Sequence, residues 1–117
     1  MSNKLNISID QGADFARVLT LKSDAVTTIN LTGYTFRGQA REAYDSKNAA
    51  FSFTLAIKNQ GTNQGQVDWT LANSITTALK LSEAKVYVYD VEMVSPGGLV
   101  TRILEGTATV KPEVTKA

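Results

Sequence analysis

Carboxylates are the side chains of this sequence best suited to acid–base or metal chemistry, because the chain contains neither histidine nor cysteine. Nucleophiles activated by histidine are therefore excluded, and so is the thiolate or imidazole coordination on which zinc sites depend. A pair of the 11 Asp and Glu residues could act as acid and base in glycoside hydrolysis. Such enzymes need a larger cleft than a chain of 117 residues offers. We predict solvated, scattered carboxylates and a protein that is not an enzyme.

The acidic and glycine-rich segments are typical of turns. Asp10 and Asp14 flank Gln-Gly-Ala, but a calcium loop needs a denser series of oxygen ligands. Gly61, Gly65 and the glycine pair at 97–98 lie between runs typical of strands, whereas a phosphate-binding loop joins a strand to a helix. The sequence therefore predicts no metal and no cofactor.

Three aromatic residues have two possible roles. Trp69, Tyr87 and Tyr89 could form a platform on which a sugar stacks, or a hot spot of a protein interface. Each lies in an alternating run whose same-face neighbours are apolar, which favours the core. We expect core packing, and keep a carbohydrate-binding or adhesin module as an alternative function.

A polar row on one predicted strand is the strongest candidate for an interaction site. Arg37, Gln39 and Arg41 alternate with Phe36, Gly38 and Ala40, and Arg102 on a later strand could join them. Arginine is favoured at protein interfaces because its planar guanidinium pairs with carboxylates while its stem packs. The alternative is an ordinary solvated sheet face. We predict that Arg37, Gln39, Arg41 and Arg102 form a protein interface, to which the chain ends at 5–9 and 111–117 contribute.

A period of two dominates the chain, which is the pattern of half-buried strands. The clearest case is the C-terminal pair of runs, because they flank Ser-Pro-Gly-Gly at 95–98, a hairpin signal. Frequent strands separated by turns favour one antiparallel β-sandwich, with a short helix that Asn73 or Ser74 caps. We expect about seven strands, at 5–9, 14–22, 34–44, 51–57, 66–71, 85–94 and 99–110, and the helix at about 74–80.

Length and charge restrict the class of protein further. A chain of 117 residues suits one domain, which we place at 1–112, with a C-terminal tail at 113–117 after Pro112. The net charge of +1 disfavours nucleic acid and anionic membranes as partners and is compatible with self-association. The absence of cysteine indicates folding in a reducing cytoplasm. No apolar run approaches membrane-spanning length, and nothing in the sequence directs export.

Several segments together resemble small β-sandwich proteins encoded among the structural genes of tailed bacteriophages. The first are IDQGADF at 9–15 and INLTGYTFR at 29–37, which are similar to the Gln-Gly opening and the Asp-Leu-Thr-Gly-Tyr segment of that group. Asn30 stands where the group usually has Asp. The C-terminal half matches through GQV at 65–67, the segment 71–79, YVYDVE at 87–92, SPGG at 95–98 and RILEGTATV at 102–110.

The resemblance implies an immunoglobulin-like sandwich that serves as a virion structural protein, folded in the host cytoplasm before assembly. It implies a module of the tail, the baseplate or the fibre attachment, which assembles with other virion proteins and with copies of itself. A capsid decoration or cement protein, or the base of a head fibre, is the second possibility within the same particle. The matching motifs specify turns and core positions, so they indicate the particle and leave the location on it open.

Overall fold

The computed structural model describes residues 3–24 and 26–114, and strands make up most of its regular structure. The all-β class predicted from the sequence is confirmed, with one short helix. The expected bounds of three central strands, at 51–57, 66–71 and 85–94, are also confirmed. The elements are β1 (Asn3–Lys4), β2 (Ile7–Asp10), β3 (Phe15–Thr20), β4 (Thr35–Arg41), β5 (Phe51–Ile57), β6 (Gln66–Leu71), α1 (Asn73–Thr77), β7 (Lys85–Val94) and β8 (Val100–Lys111).

The strands form one mixed sheet in the order β1-β8-β7-β4-β5-β6-β3, with β2 also paired to β8. The sheet curls because β5 changes partner along its length. Phe51 to Phe53 pair with β4, and Thr54 to Ile57 pair with β6. The curl brings β6 against β7, although two strands separate them in the sheet, so the ring centroids of Trp69 and Tyr89 lie 5.7 Å apart. A single apolar core therefore fills the concave side of the sheet.

The prediction of a purely antiparallel sheet is wrong at the N-terminal edge. Both β1 and β2 run parallel to β8, with Asn3 opposite Leu104 and Ile7 opposite Ala108. The alternation that predicted a strand here reports which face each side chain occupies, and it carries no information on the direction of the partner. Residues 5–9 are likewise not a free end, because Ile7 and Ile9 are buried in the core.

The chain crosses β8 closely between β1 and β2. Leu5 donates its N–H to the Glu105 carbonyl at 2.9 Å and accepts the Tyr89 hydroxyl at 2.6 Å. A Cβ on Gly106 would overlap the Leu5 carbonyl oxygen and lie 3.0 Å from Asn6 Oδ1. Gly106 is therefore needed because another segment of backbone passes directly over it.

The helix α1 is shorter than expected, and its N-terminus is capped from a distance. Ala72 is the N-cap residue and makes no side-chain cap hydrogen bond. Asp14, from the loop before β3, accepts the Asn73 N–H at 2.8 Å instead. The predicted caps, Asn73 and Ser74, lie one and two residues too late in the chain. A five-residue helix cannot persist alone, so tertiary contacts of this kind hold it.

Two glutamines hold loops together. Gln11, which is buried, donates from Nε2 to the carbonyls of Thr76 and Leu79 at 3.1 and 2.7 Å, and its Oε1 accepts the Glu113 N–H at 3.2 Å. Gln60 Oε1 accepts the N–H groups of Leu31 and Gly65 at 2.9 and 2.8 Å. The predicted tail at 113–117 thus begins with a residue bonded to Gln11, while residues 115–117 lie outside the described part of the chain.

Candidate protein-interaction surface

The predicted row of polar residues lies on the convex side of the sheet. On β4 the side chains of Arg37, Gln39 and Arg41 point away from the core, and Ala40 points into it. Arg102 lies on the same convex face of β8, separated from β4 only by β7. The structure therefore brings together all four residues that the sequence predicted for this site.

Carboxylates fill the space between these arginines. Arg37 Nε lies 2.7 Å from Glu92 Oε1, and Arg102 contacts Asp90 Oδ2 at 3.4 Å and Glu105 Oε2 at 3.2 Å. The three acids were not predicted from the sequence. They could have been found from the register of the hairpin across the Ser-Pro-Gly-Gly turn, because that register sets Asp90 opposite Glu105. We call this set the charged furrow: Arg37, Gln39, Arg41, Asp90, Glu92, Arg102 and Glu105.

A β-bulge on β8 places Arg102 in the furrow. Val91 pairs with Leu104, but the next residue, Glu92, pairs with Arg102, so Ile103 is an extra residue on β8. Residues three apart on a regular strand point to opposite faces. The bulge shifts this alternation by one, and Arg102 and Glu105 consequently share the convex face and form an ion pair.

Arg41 differs from the other two arginines of the furrow. Its Nη1 donates to the Ser46 carbonyl at 2.8 Å and its Nη2 donates to Gln39 Oε1 at 2.9 Å. Among the described residues no carboxylate lies within ion-pair distance of it. Two neutral acceptors thus hold the guanidinium in place, and its charge is not part of an ion pair.

Asp90 is the carboxylate of the furrow whose pKa is shifted, mainly because its side chain is partly buried. Partial burial raises the pKa of Asp90, and the neighbouring carboxylates of Glu92 and Glu105 raise it further, while Arg102 and Arg41 oppose the rise. Ionisation of Asp90 therefore costs free energy in the folded protein. A partner that donated a hydrogen bond to Asp90 would reduce that cost.

All members of the furrow except Arg37 line a shallow depression of about 300 Å³, whose wall also includes Tyr44, Val88 and Tyr89. Tyr44 is 85% exposed, and Val86, which precedes this wall on the convex face of β7, is 55% exposed. Exposed tyrosine and arginine side chains are enriched at surfaces that contact other proteins. Within residues 3–24 and 26–114, no cluster of three or more acidic side chains is arranged to hold a metal ion.

The aromatic platform considered from the sequence is not available to a ligand. Trp69 is fully buried, and Tyr87 and Tyr89 are 3% and 4% exposed. Phe53 packs edge-on against Trp69 and Tyr89, with ring centroids 5.3 and 5.9 Å apart. The expectation of core packing is therefore confirmed, and a sugar cannot stack on these three rings.

A second depression, of about 870 Å³, lies beside α1. Gln11, Gly12 and Glu113 line it together with residues of the helix and of the segment that follows. Gln11 is already bonded there to the helix and to the Glu113 N–H. We therefore assign these residues to the stability of the fold.

In the described part of the chain no helix is long and apolar enough to span a membrane.

Comparison with known proteins identifies no family: no model of a protein family and no curated protein matches the chain. Among solved structures it is similar to a 2,6-sialyltransferase of Vibrionaceae Photobacterium sp. JT-ISH-224, in a ternary complex with CMP and lactose. The identity is 12% and the TM-score 0.34, and the match covers 96% of this chain and 18% of that chain. The chain thus spans less than a fifth of that protein, and a likeness of this degree carries no argument about function.

Proposed function

We propose that this chain is a non-enzymatic structural protein of a tailed-bacteriophage particle, acting as an assembly module of the tail, the baseplate or the fibre attachment. The observation that carries the proposal is the charged furrow, in which three arginines and three carboxylates lie together on an exposed sheet face beside Tyr44. Such a face suits contact with other virion proteins, and the chain would reside in the virion after folding in the host cytoplasm.

The motifs behind the resemblance to phage proteins support the proposal, because each has a structural use here. In the segment 9–15, Gln11 bonds the helix and Asp14 caps it, while Ile9 and Phe15 enter the core. In the segment 29–37, Gly33 adopts a φ of 83° in a turn closed by the Tyr34 N–H and the Leu31 carbonyl. Motifs that specify turns and core positions are those that a family conserving a scaffold, without a catalytic centre, would share.

The immunoglobulin-like sandwich implied by the resemblance is part of the same proposal. It is supported by the single core into which both sections of the curled sheet, joined at β5, pack their side chains, since the layers of a sandwich share a core in the same way. The parallel edge formed by β1 and β2 is a departure from that fold. Comparison with an experimental structure of a phage protein that carries the same motifs tests this part of the proposal.

Substitution of Arg41 tests the assignment of the furrow. We expect Arg41→Ala to weaken incorporation into particles roughly tenfold, because the furrow loses its unpaired guanidinium, while the free energy of unfolding changes by no more than about 1 kcal/mol. Lys58→Ala is the matched control, because Lys58 forms an ion pair with Asp68 on another part of the sheet. Equal incorporation of both variants, or unfolding of the Arg41 variant, would contradict the assignment.

The location on the particle is tested by the copy number. Quantitative mass spectrometry of purified particles, scaled to the major capsid protein, is expected to give few copies that fractionate with tails. A copy number comparable to that of the capsid protein would instead favour the second candidate, a decoration or cement protein or a head-fibre base. Absence of the chain from particles would refute both.

A further inference from the structure

We infer that the charged furrow is self-complementary, and that it binds the furrow of a second copy about a two-fold axis that runs parallel to the strands, between β4 and β7. The inference rests on the proposed function, because it names the partner of the same face. It follows from the register of three strands and from the sign of the charge at each level.

The register places acidic and basic residues of neighbouring strands directly opposite each other, that is, at the same level along the strand direction. On the convex face, Arg37 of β4 is level with Glu92 of β7, and Gln39 is level with Asp90. A two-fold axis parallel to the strands preserves the level of each residue and exchanges β4 with β7. Each Arg37 then lies over Glu92 of the second copy, and each Gln39 lies over Asp90 of the second copy.

The neighbouring strands extend the match. The same rotation places β8 over β5, since each lies one strand outside the central pair. Glu105 is level with Asp90 and Gln39, and Ser52 of β5 is level with Gln39, so Glu105 faces the Ser52 hydroxyl of the second copy. Every carboxylate of the furrow thus faces a hydrogen-bond donor, including Asp90, whose charge the chain itself stabilises poorly.

The charges select this axis over the alternative. A two-fold axis perpendicular to the strands would lay β7 over β7 and set Asp90 and Glu92 against the same residues of the second copy. Like charges in opposition disfavour that packing. Stacked sheets lie about 10 Å apart and cross at about −30°. Long Arg and Glu side chains reach across that distance, and the pairs nearest the crossing point keep their levels.

Apolar side chains next to the furrow add buried apolar surface to the contact between the two copies. Tyr44, Val86 and Val88 lie on or beside the same face, and the first two are largely exposed. Burial of exposed apolar surface drives association, while the paired charges fix its register. The complex should therefore be weak, dependent on protein concentration, and weakened by salt.

Two charge-reversed variants test the inference by complementation. In Arg37→Glu, like charges meet across the interface of a homodimer, and the same is true of Glu92→Arg. In an equimolar mixture the two variants form a heterodimer in which both pairs between positions 37 and 92 across the interface have opposite charges. We expect each variant alone to self-associate about tenfold or more weakly than the wild type, and the mixture to recover most of the wild-type association in sedimentation equilibrium at low salt.

The matched control is Lys58→Glu, which reverses one charge of the Lys58–Asp68 ion pair outside the furrow and should leave association unchanged. Thermal unfolding establishes that each variant is folded. A wild-type chain that stays monomeric at millimolar concentration would overturn the inference, and so would a mixture no better associated than its components. If such a monomer still enters particles, the proposed function stands and the furrow binds a different virion protein.

Discussion

At the scale of single residues, Gln11 joins three parts of the molecule that are distant in the sequence. Its amide bonds two carbonyls at the C-terminal end of the helix region and the N–H of Glu113. Removing the side chain leaves these buried or half-buried groups without a partner. We predict that Gln11→Ala lowers the free energy of unfolding by about 2–3 kcal/mol, measured by urea denaturation.

Gln64→Ala is the control for this prediction, because the Gln64 side chain is exposed and its bonds to Thr28 are on the surface. We expect that variant to lie within about 0.5 kcal/mol of the wild type. If the two variants were equally stable, the junction at Gln11 would contribute nothing beyond solvated hydrogen bonds. The role assigned to the Gln-Gly motif would then be wrong.

Ionisation of Tyr89 makes the free energy of unfolding depend on pH in the alkaline range. Burial raises the pKa of Tyr89 to about 12, against about 10 for tyrosine in an unfolded chain. Below pH 10 both states hold the proton. Between about pH 10 and 12 the unfolded chain releases it while the native state retains it, so stability falls as the pH rises, on the order of 2 kcal/mol.

Tyr89→Phe separates this effect from other titrations in the same range. The variant loses the hydrogen bond to the Leu5 carbonyl, at a cost of about 1 kcal/mol at neutral pH. Its stability should then fall less between about pH 8 and pH 11.5 than that of the wild type. Tyr87 and Lys85, whose pKa values are also raised, keep part of the slope. Parallel profiles for the two proteins would contradict this account.

At the scale of elements, the N-terminal edge depends on one glycine. We predict that Gly106→Ala displaces β1 and β2 from β8, because the new Cβ overlaps the Leu5 carbonyl. The expected loss is about 2–3 kcal/mol of unfolding free energy, with faster hydrogen exchange at the amides of Ile7–Asp10. Gly97→Ala is the control, because a Cβ added at Gly97 would lie 4.0 Å from the nearest heavy atom, Ser95 Oγ. Unchanged exchange in the Gly106 variant would show that the edge can shift without detaching.

The alternation of apolar and polar residues predicted the half-buried strands. It failed where the pairing of a strand or the end of a helix depends on contacts distant in sequence. The bounds of β5, β6 and β7 follow the period of two because one side of each strand faces the core. The parallel pairing of β2 with β8 is set by the whole sheet, and α1 ends earlier than its apolar spacing indicates. Local periodicity contains neither the partner of an edge strand nor the distant side chain that caps a helix.

The same limit applies to the candidate site. Arg37, Gln39 and Arg41 were predictable because they share one strand, and Arg102 was included because it lies in the adjacent hairpin. The acids were missed, since their place beside the arginines depends on cross-strand register and on the bulge at Ile103. A sequence pattern gives the face of a residue, and the register of the sheet gives its neighbours.

At the scale of the whole molecule, one core should produce one unfolding transition. Side chains from both sections of the sheet pack in the same cluster around Trp69 and Tyr89. We predict that Trp69 fluorescence and far-ultraviolet circular dichroism report the same midpoint in urea. Two separated transitions would indicate that the sections on either side of β5 unfold independently.

The parallel edge also has a consequence for synthesis. Ile7 pairs with Ala108, so the second strand to leave the ribosome waits for the last one before it has a partner. Contacts so distant in sequence form late and slowly. The furrow is subject to the same delay, because Arg102 and Glu105 arrive with β8. A nascent chain therefore lacks the complete furrow, and the proposed association is postponed until translation has passed the final strand.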